Sequence, residues 1–487
     1  MDLLFAAAVS SYALVAPYTK VEESFFMQAV HDALTTRSLS EWDHVEFPGA
    51  VPRSFVGPLA LAAAAAPFKL VFSEVPGPAL QTIVRLLLGL AVAWANARVR
   101  RSVQTAWGPR AAWWYGLFCV SQFHYLFWSS RLLANTLVLV PLLCAQADWL
   151  LLLKPHTAAF AVAVSAAERQ RLHSRMAALL VFAAVVLRFD SAILGIAMLA
   201  TTLNCVTRRS VMVAAAAAAG SLALTLAVDS LLWQTPWMWP EARAFTFNVV
   251  LGRSAEWGSH PPLHYISNLL PRLLPAALPF TLLGALYDER ASRIVGVCLA
   301  VIAAFSINAH KEWRFVLPLV PLANACAAAG VERLGLRRLA TGLCVVSMCA
   351  AMSMLYVSSL NYPGGHALAQ LHKMDARETG VAVHIDTLAA MTGVTRFGQV
   401  RPGWVYNKTE GLSPGADFAG FAYVLTEDPA AHASNGFVVV VEQEGYAGID
   451  ADVRQMHFGI RQKPLIWIMR NQNYTAIEPP QTSSAHM

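Results

Sequence analysis

Long apolar runs dominate this chain. They lie near residues 3–17, 54–73, 79–97, 111–130, 132–153, 176–207, 211–232, 266–287, 292–308, 314–331 and 339–357. A run of about 20 apolar residues is long enough for a helix to cross a bilayer. Only 14% of the residues are charged, against about 25% in soluble proteins. The chain therefore lacks the polar surface that soluble domains need, and we expect a polytopic α-helical membrane protein.

Short basic clusters between the runs predict the orientation. These clusters are Arg98/Arg100/Arg101, Arg169/Arg171/Arg175, Arg208/Arg209, Arg290/Arg293 and Arg333/Arg337/Arg338. Because positively charged loops stay in the cytosol, we place all five clusters there. The net charge of +6 then reflects membrane orientation, and no nucleic-acid partner is expected.

Charge counting also predicts the number of crossings. Run 176–207 lies between two basic clusters that are both placed in the cytosol, so it must cross the membrane an even number of times. We therefore expect two short helices with Arg188-Phe189-Asp190 at the luminal turn. The Ala-rich run 54–73 is predicted to be re-entrant or interfacial. The first run follows no basic segment, which favours a retained anchor over a cleaved signal peptide. The result is about 11 transmembrane helices, with the N terminus cytosolic and the C terminus luminal.

The polar C-terminal part predicts a separate domain. Residues 1–357 are expected to form the transmembrane domain, with luminal loops at 18–53 and 233–265. Residues 358–487 are expected to form a small luminal α/β domain, and their strands are predicted near 381–385, 421–426, 437–442 and 465–469. Two glycosylation sequons begin at Asn407 and Asn473, on this luminal side. The seven cysteines lie in apolar runs, so we expect buried thiols with neither a zinc site nor a disulfide framework.

Polar residues outside the cytosolic clusters collect on the predicted luminal side. The candidates are Asp43, His44, Glu46, Arg131, Arg188, Asp229, Trp239, Trp257, His310, Lys311 and Arg314. An Arg or Asp at membrane depth costs about 3 kcal/mol, so such residues are functional candidates by default. The alternative interpretation is that loop ends are polar everywhere.

A cation cluster predicts a phosphate pocket. His310 and Arg314 are four residues apart, so we expect them to share one face of a helix that begins near residue 312. The free N–H groups at such a helix start also favour an anion. A phosphate leaving group needs this charge stabilisation. The alternative is an interfacial salt-bridge cluster with Glu312.

Two adjacent carboxylates follow the first apolar run. Neighbouring residues on a helix point about 100° apart, so only one of Glu22 and Glu23 is expected to face a given substrate atom. A partly desolvated carboxylate there can act as general base for a hydroxyl. Ordinary charge at a helix N terminus is the alternative.

Two motifs in these segments resemble a known family. Residues 18–25, Tyr-Thr-Lys-Val-Glu-Glu-Ser-Phe, resemble the first-loop acidic motif of the family 22 mannosyltransferases, C-superfamily membrane enzymes that use dolichyl-phosphate mannose. Residues 310–315, His-Lys-Glu-Trp-Arg-Phe, resemble the family's His-Lys-Glu-x-Arg-Phe signature. The resemblance runs from about residue 12 to 470 and is strongest with one branch. The stretches that carry the branch resemblance are 43–49, 51–53, 228–230, 256–258, 361–365 and 384–386.

The resemblance implies an activity. The branch adds the eighth mannose, through an α-1,6 bond, to the dolichyl-pyrophosphate oligosaccharide of N-glycan assembly in the endoplasmic reticulum. It implies an inverting transfer from dolichyl-phosphate mannose by a monomeric, metal-independent enzyme that needs no cofactor. The alternatives are a sister α-1,2-mannosyltransferase of N-glycan or GPI-anchor assembly, a non-catalytic subunit of a glycan-assembly complex, and a transporter or lipid scramblase. The chain shows no internal repeat of the kind that many transporters have.

The resemblance also implies roles for the candidate residues. Glu22 takes the place of the catalytic acid as general base, and Glu23 is the second candidate, because other branches carry Asp-Glu at this position. The donor phosphate is assigned to His310, Lys311, Arg314, Arg131 and Arg188. The acceptor or sugar is assigned to Asp43, His44, Glu46, Asp229, Trp239 and Trp257.

Overall fold

The computed structural model describes residues 1–36, 38–71, 75–153, 165–412, 418–452 and 457–474, without the side chains of residues 255, 257, 451, 452, 457 and 458. The α-helices span Asp2–Val15, Ser24–Thr35, Asp43–Glu46, Val56–Val71, Gly77–Trp107, Pro109–Val120, Phe123–Trp128, Ala134–Leu137, Leu139–Leu152, Ala166–Phe182, Ser191–Ala200, Arg208–Leu232, Pro240–Phe245, Leu270–Leu273, Leu278–Tyr287, Glu289–Ser306, Trp313–Val316, Val320–Leu334, Arg337–Ser359, Pro363–Met374, Thr387–Met391 and Pro429–Ala433. Segments of π-helix span Ala183–Leu187, Thr246–Val250 and Tyr265–Leu269. Short 3₁₀ helices span Val21–Glu23, Leu39–Glu41, Leu203–Cys205, Arg253–Trp257, Leu317–Leu319 and Arg396–Gly398.

The chain divides into two compact units, which we describe separately. The first unit comprises Met1–Leu14, Asp32–Ala66 and Ile83–Leu355. The second unit comprises Val15–His31, Pro67–Thr82 and Tyr356–Met487. The domain boundary predicted at residue 357 stays a prediction.

Several helices are long and apolar enough to cross a membrane. Within the described residues these are Gly77–Trp107, Ala134–Leu152, Ala166–Leu187, Arg208–Leu232, Trp313–Leu334 and Arg337–Ser359. A seventh span is possible if Tyr265–Leu273 and Leu278–Tyr287, which meet at 104°, count as one. Shorter apolar helices span Asp2–Val15, Val56–Val71 and Ser191–Ala200. Length and composition thus identify six or seven spans, and the number of about 11 crossings stays a prediction.

A turn interrupts the long apolar run at 176–207. Helix Ala166–Phe182 continues as the π-helix Ala183–Leu187, and the backbone then becomes extended at Arg188. A new helix begins at Ser191. The predicted break at residues 188–190 and the short second helix are confirmed, but the first helix is not short, since Ala166–Leu187 has 22 residues.

Two helices of the first unit approach each other closely at a pair of glycines. Gly284 lies on Leu278–Tyr287 and Gly330 on Val320–Leu334. A Cβ atom on Gly330 would lie 2.5 Å from the Phe280 carbonyl oxygen and 2.8 Å from the Gly284 nitrogen. Small residues allow such close backbone contact between membrane helices.

The cysteines follow the prediction with one exception. Six of the seven thiols are buried, but Cys349 is exposed on helix Arg337–Ser359. The expectation of a buried thiol is therefore wrong for Cys349. The reason is its face of the helix, which also exposes Val345, Val346 and Met352. Apolar composition alone does not distinguish this outer face from the packed one.

A mixed five-stranded sheet forms in the second unit. Its strands are β1 (Thr379–Ile385), β2 (Gly403–Asn407), β3 (Tyr423–Thr426), β4 (Phe437–Asp452) and β5 (His457–Asn471), in the spatial order β2-β1-β3-β5-β4. Strand β1 pairs in parallel with β2 and β3, whereas β5 pairs antiparallel with β3 and β4. Buried Val383, Leu425, Ile466 and Ile468 form part of the core beneath it. The central strands are buried on both faces, since every residue of 381–385 in β1 and 423–426 in β3 is buried.

Candidate active site

The two adjacent glutamates lie in different environments within the second unit. They end the 3₁₀ helix Val21–Glu23, just before helix Ser24–Thr35. The Glu23 side chain is fully buried, and its Oε2 accepts a hydrogen bond of 3.0 Å from the Lys20 backbone N–H. Glu22 is exposed. The two carboxylates therefore differ as the sequence predicted, and Glu22 is the accessible one.

Glu312 is the centre of the predicted cation cluster in the first unit. Its Oε1 lies 2.7 Å from His310 Nε2, and its Oε2 accepts a hydrogen bond of 2.5 Å from Arg314 Nε. Burial of Glu312 opposes its ionisation, but the neighbouring Arg314 and His310 hold its pKa below the ordinary value. The salt-bridge cluster that the sequence left as an alternative is thus present.

The expected helix face between His310 and Arg314 is not formed. The α-helix begins only at Trp313, and the backbone of Glu312 is extended, with φ −129° and ψ 145°. His310 therefore precedes the helix, and the prediction of a shared helix face is wrong. The two side chains meet through the Glu312 carboxylate. The chain before residue 313 is held to a loop distant in sequence, since the His260 N–H donates a hydrogen bond to the Ala309 carbonyl.

Lys311 has a different environment from the other cations. Its side chain is only 3% exposed. Its Nζ donates to the carbonyl oxygens of Asn308 at 2.6 Å and His260 at 3.2 Å. In this geometry Lys311 stabilises the backbone around residue 260, and its phosphate-binding role stays a prediction.

Arg188 joins the Arg314 cluster through an amide. Arg188 Nη1 donates to Asn135 Oδ1 at 2.9 Å, and Asn135 Nδ2 donates to the Arg314 carbonyl at 3.3 Å. Asp190 accepts from both Nε, at 2.9 Å, and Nη2 of Arg188. Burial alone would lower the pKa of Arg188, but Asp190 raises it above the ordinary value. The structure therefore brings two of the predicted phosphate-binding arginines into one network.

Arg131 contacts the helix that also contacts Arg314. The Arg131 side chain is 1% exposed, and its Cζ lies 4.2 Å from the centroid of the Phe127 ring. Arg314 Cζ lies 5.4 Å from the centroid of the neighbouring Trp128 ring. Both guanidinium groups thus make cation–π contacts with consecutive aromatic residues.

Sequence reasoning missed two further charged residues near this network, Glu241 and Arg53. Glu241 is 7% exposed, and its Oε2 accepts a hydrogen bond of 2.6 Å from the Phe189 N–H. Burial raises the pKa of Glu241 to about 7. Burial lowers the pKa of Arg53, and the nearby charges of Arg188 and Arg314 lower it further. Arg53 belongs to one of the branch-like stretches, which was the available signal in the sequence.

Two predicted acceptor residues are fully packed. Asp229 is 0% exposed, and its carboxylate accepts hydrogen bonds from Ser54 Oγ at 2.9 Å, Phe55 N at 2.7 Å and Thr225 Oγ1 at 2.6 Å. His44 is 6% exposed, and its Nε2 lies 2.9 Å from the Leu232 carbonyl. These are the environments of structural anchors, and a sugar-binding role for either residue stays a prediction.

The remaining acceptor candidates are more accessible. Asp43 is half-buried and Glu46 is exposed on the short helix Asp43–Glu46. Trp239 is half-buried, and its Nε1 donates to the Val185 carbonyl in the π-helix at 2.9 Å. The side chain of Trp257 lies outside the described part of the chain. Among the described residues, no group of three or more His, Cys, Asp or Glu side chains could hold a metal ion.

Comparison with solved structures identifies the fold. The crystal structure of ArnT from Cupriavidus metallidurans bound to undecaprenyl phosphate superimposes with a TM-score of 0.62 and covers 98% of this chain and 99% of its own, at 13% identity. The chain therefore shares the fold of this membrane protein.

Comparison of sequences identifies the family. The model of the Alg9-like mannosyltransferase family matches residues 2–395, so the chain belongs to that family. A Drosophila melanogaster protein named Dol-P-Man:Man(7)GlcNAc(2)-PP-Dol alpha-1,6-mannosyltransferase is 32% identical over 88% of this chain, which spans 63% of that relative's length. The Arabidopsis thaliana protein of the same name is 32% identical over 92% of this chain and 90% of its own. The family resemblance found in the two motifs is confirmed.

Proposed function

We propose that the chain transfers mannose from dolichyl-phosphate mannose to the 6-hydroxyl of a mannose in a dolichyl-pyrophosphate-linked seven-mannose oligosaccharide. The observation that carries this proposal is the match along 88% and 92% of the chain to relatives named for that reaction. The family model, which matches residues 2–395, includes the acidic segment with Glu22 and the residue 310–315 motif. The product would be the eight-mannose precursor of N-glycosylation.

The proposed chemistry is one inverting displacement. Glu22 removes the proton of the acceptor 6-hydroxyl, and the resulting oxygen attacks the anomeric carbon of the donor mannose. The bond from this carbon to the phosphate oxygen breaks, and dolichyl phosphate leaves with the electron pair. The β-linked donor thus becomes an α-linked product, and the proton stays on the Glu22 carboxylate. The accessibility of Glu22, against the burial of Glu23, supports this choice of base.

The arginine network supplies the charge that the leaving phosphate needs. Arg188, Arg314 and Arg131 are the proposed anion-stabilising groups, with His310 and Lys311 as supporting cations. Guanidinium groups are suited to phosphate because their donors match its oxygens in pairs. Placed in a site with little water, such fixed charges stabilise a developing anion more strongly than they would in solution.

The proposed location is the endoplasmic reticulum membrane. The candidate site and the C-terminal α/β domain face the lumen, and a monomer crosses the membrane about 11 times. The five basic clusters between the apolar runs support this orientation. The shorter apolar helices, added to the six or seven long spans, support the larger number of crossings. Neither a cofactor nor a metal ion is proposed for the reaction.

A defined assay tests the proposal. The purified full-length chain, reconstituted in liposomes, receives dolichyl-phosphate mannose and the seven-mannose dolichyl-pyrophosphate oligosaccharide. We expect one added mannose, and linkage analysis of the released glycan should show an α-1,6 bond. An α-1,2 product, or transfer only to a different acceptor, would instead identify a sister enzyme of the family. Complete absence of transfer by folded protein would overturn the proposal.

A further inference from the structure

The arginines of the network differ in how many of their donors are already used. Arg188 uses Nε and Nη2 for Asp190 and Nη1 for Asn135. Arg314 uses Nε and Nη2 for Glu312. A guanidinium presents its donors in a rigid fork, and a carboxylate that binds two of them occupies the face that a phosphate would take. Arg188 and Arg314 are thus largely satisfied by acids two residues away.

The space beside Arg188 is also small. A cavity of about 20 Å³ lies next to it, lined by Asn135 and Asp190 on the polar side and by Phe305 and Phe315 on the apolar side. This volume suits about one water molecule. A phosphate carrying a sugar and a lipid does not fit there, so Arg188 reaches such a group only if the ion pair with Asp190 rearranges.

Arg53 has a well-fixed backbone. Its carbonyl accepts a hydrogen bond of 3.0 Å from Trp233 Nε1. The next two residues, Ser54 and Phe55, both donate to the buried carboxylate of Asp229. Arg53 precedes helix Val56–Val71. Its backbone position is therefore held by three hydrogen bonds to the segment around residues 229–233.

The Arg53 guanidinium differs from those of Arg188 and Arg314 because its donors are unused among the described residues. The side chain is half-buried, and within the part of the chain that the structure describes no hydrogen bond or ion pair engages its nitrogens. The charges that act on it are those of Arg188 and Arg314, which repel it, and those of Glu241 and Asp190, which attract it. Burial and the two like charges oppose the charged guanidinium more than the two acids favour it. An anionic ligand would offset that cost.

We propose that Arg53 makes the direct hydrogen bond to a phosphate oxygen of a lipid-linked substrate, while Arg188 and Arg314 keep their carboxylate partners and act on this phosphate only through the charge of the surrounding network. The ligand chemistry is a phosphate ester on a polyprenol, which is either the monophosphate of the donor or the diphosphate of the acceptor. The inference rests on the proposed function for the identity of these two lipids. It adds to the reaction a binding residue outside the His310–Phe315 motif.

Steady-state kinetics in liposomes test the proposal. Arg53→Gln removes the charge, Arg53→Lys keeps the charge without the fork, and donor and acceptor concentrations are varied separately. Loss of a charged hydrogen bond predicts a KM that rises about tenfold or more for one lipid in Arg53→Gln, with a smaller rise in Arg53→Lys. A rise for dolichyl-phosphate mannose identifies the donor phosphate, and a rise for the oligosaccharide lipid identifies the diphosphate. Unchanged KM values for both lipids would overturn the proposal, as would a fall in kcat alone.

A binding measurement separates this inference from the proposed function and from misfolding. Dolichyl phosphate and dolichyl diphosphate are added to detergent-solubilised protein, and the shift in thermal midpoint is recorded. We expect one of them to stabilise the wild type and the control Arg293→Gln, whose exposed arginine pairs with Glu289 on a helix surface. The shift should be smaller in Arg53→Lys and absent in Arg53→Gln. An equal shift in all four proteins would overturn the role of Arg53. Absence of mannose transfer by the wild type would instead reject the proposed function, and the lipid-induced shift would still test Arg53.

Discussion

The adjacent acids Glu22 and Glu23 show how one residue step changes a carboxylate's environment. Glu23 is buried and accepts a backbone hydrogen bond from Lys20, so it stabilises the start of helix Ser24–Thr35. Glu22 is exposed on the same short turn. A general base must be reachable by the hydroxyl that it deprotonates. The geometry therefore favours Glu22 for chemistry and Glu23 for structure.

Separate substitutions distinguish the two acids. Glu22→Gln should reduce kcat by about 100-fold or more, because an amide cannot accept the hydroxyl proton, and should leave the thermal midpoint unchanged. Glu23→Gln should lower the thermal midpoint, since a buried charge-assisted hydrogen bond contributes about 1 to 3 kcal/mol. Rates and melting curves of both variants are compared with Glu442→Gln, which changes an exposed acid of the sheet. Near-normal transfer by Glu22→Gln would contradict its assignment as the base.

Glu241 predicts a pH dependence of stability. Burial raises its pKa from 4.5 to about 7, while the groups facing it, Arg188, Asp190, Arg53 and the Phe189 N–H, partly offset one another. A carboxyl whose pKa is higher in the folded state binds its proton more tightly there than in the unfolded state. Its contribution to stability is therefore complete below about pH 4.5 and is lost as the pH rises through about 7.

Thermal midpoints of Glu241→Gln measured from about pH 5 to about pH 8 check this expectation. The wild type should lose stability over this interval, by about 3 kcal/mol at most from this group. Glu241→Gln should lose less, because its side chain stays neutral. Parallel pH profiles for the two proteins would show that Glu241 does not titrate in this range.

At the scale of elements, the cation network depends on contacts between segments far apart in sequence. The turn at residues 188–190 donates hydrogen bonds to Asn135 of one helix and to Glu241 of another. The π-helix that precedes the turn leaves the Val185 carbonyl available to the Trp239 indole. Segments of π-helix often occur at functional sites because the extra residue frees a backbone group. The turn is thus a junction of several elements.

The glycine contact between two helices of the first unit predicts that an alanine at this contact lowers the stability of the protein, whereas an alanine at a glycine outside the contact does not. Gly330→Ala should place a methyl group against the backbone of helix Leu278–Tyr287, where Phe280 O and Gly284 N already lie within 2.8 Å of the added atom. Overpacking of this kind costs about 1 to 3 kcal/mol. Gly296→Ala is the matched control, because nothing lies within 4 Å of its added Cβ. Melting curves should show a lower midpoint for Gly330→Ala only, and equal midpoints would contradict the close packing.

At the scale of the whole molecule, the proposed orientation is open to a labelling test. Sealed microsomes expose the cytosolic side of endoplasmic reticulum proteins to a membrane-impermeant maleimide. Gln104→Cys, next to a basic cluster, should be labelled in intact microsomes, whereas Glu444→Cys on the sheet should be labelled only after detergent is added. Both positions are exposed, and the wild type measures the background from native thiols such as Cys349. The reverse pattern would invert the topology.

The sequence by itself determined the membrane class, the break between helices at residues 188–190, the family and its motifs. These features are local, since apolar runs and short motifs record which segments enter a membrane and which residues stand next to each other. The tertiary structure alone decided how the polar groups pair. Glu312 lies between His310 and Arg314, Glu241 accepts from a residue 52 positions away, and Asp229 accepts from Ser54, 175 positions away. Such pairs form because a buried polar group must find a partner, and only the packing of distant elements determines which partner it meets.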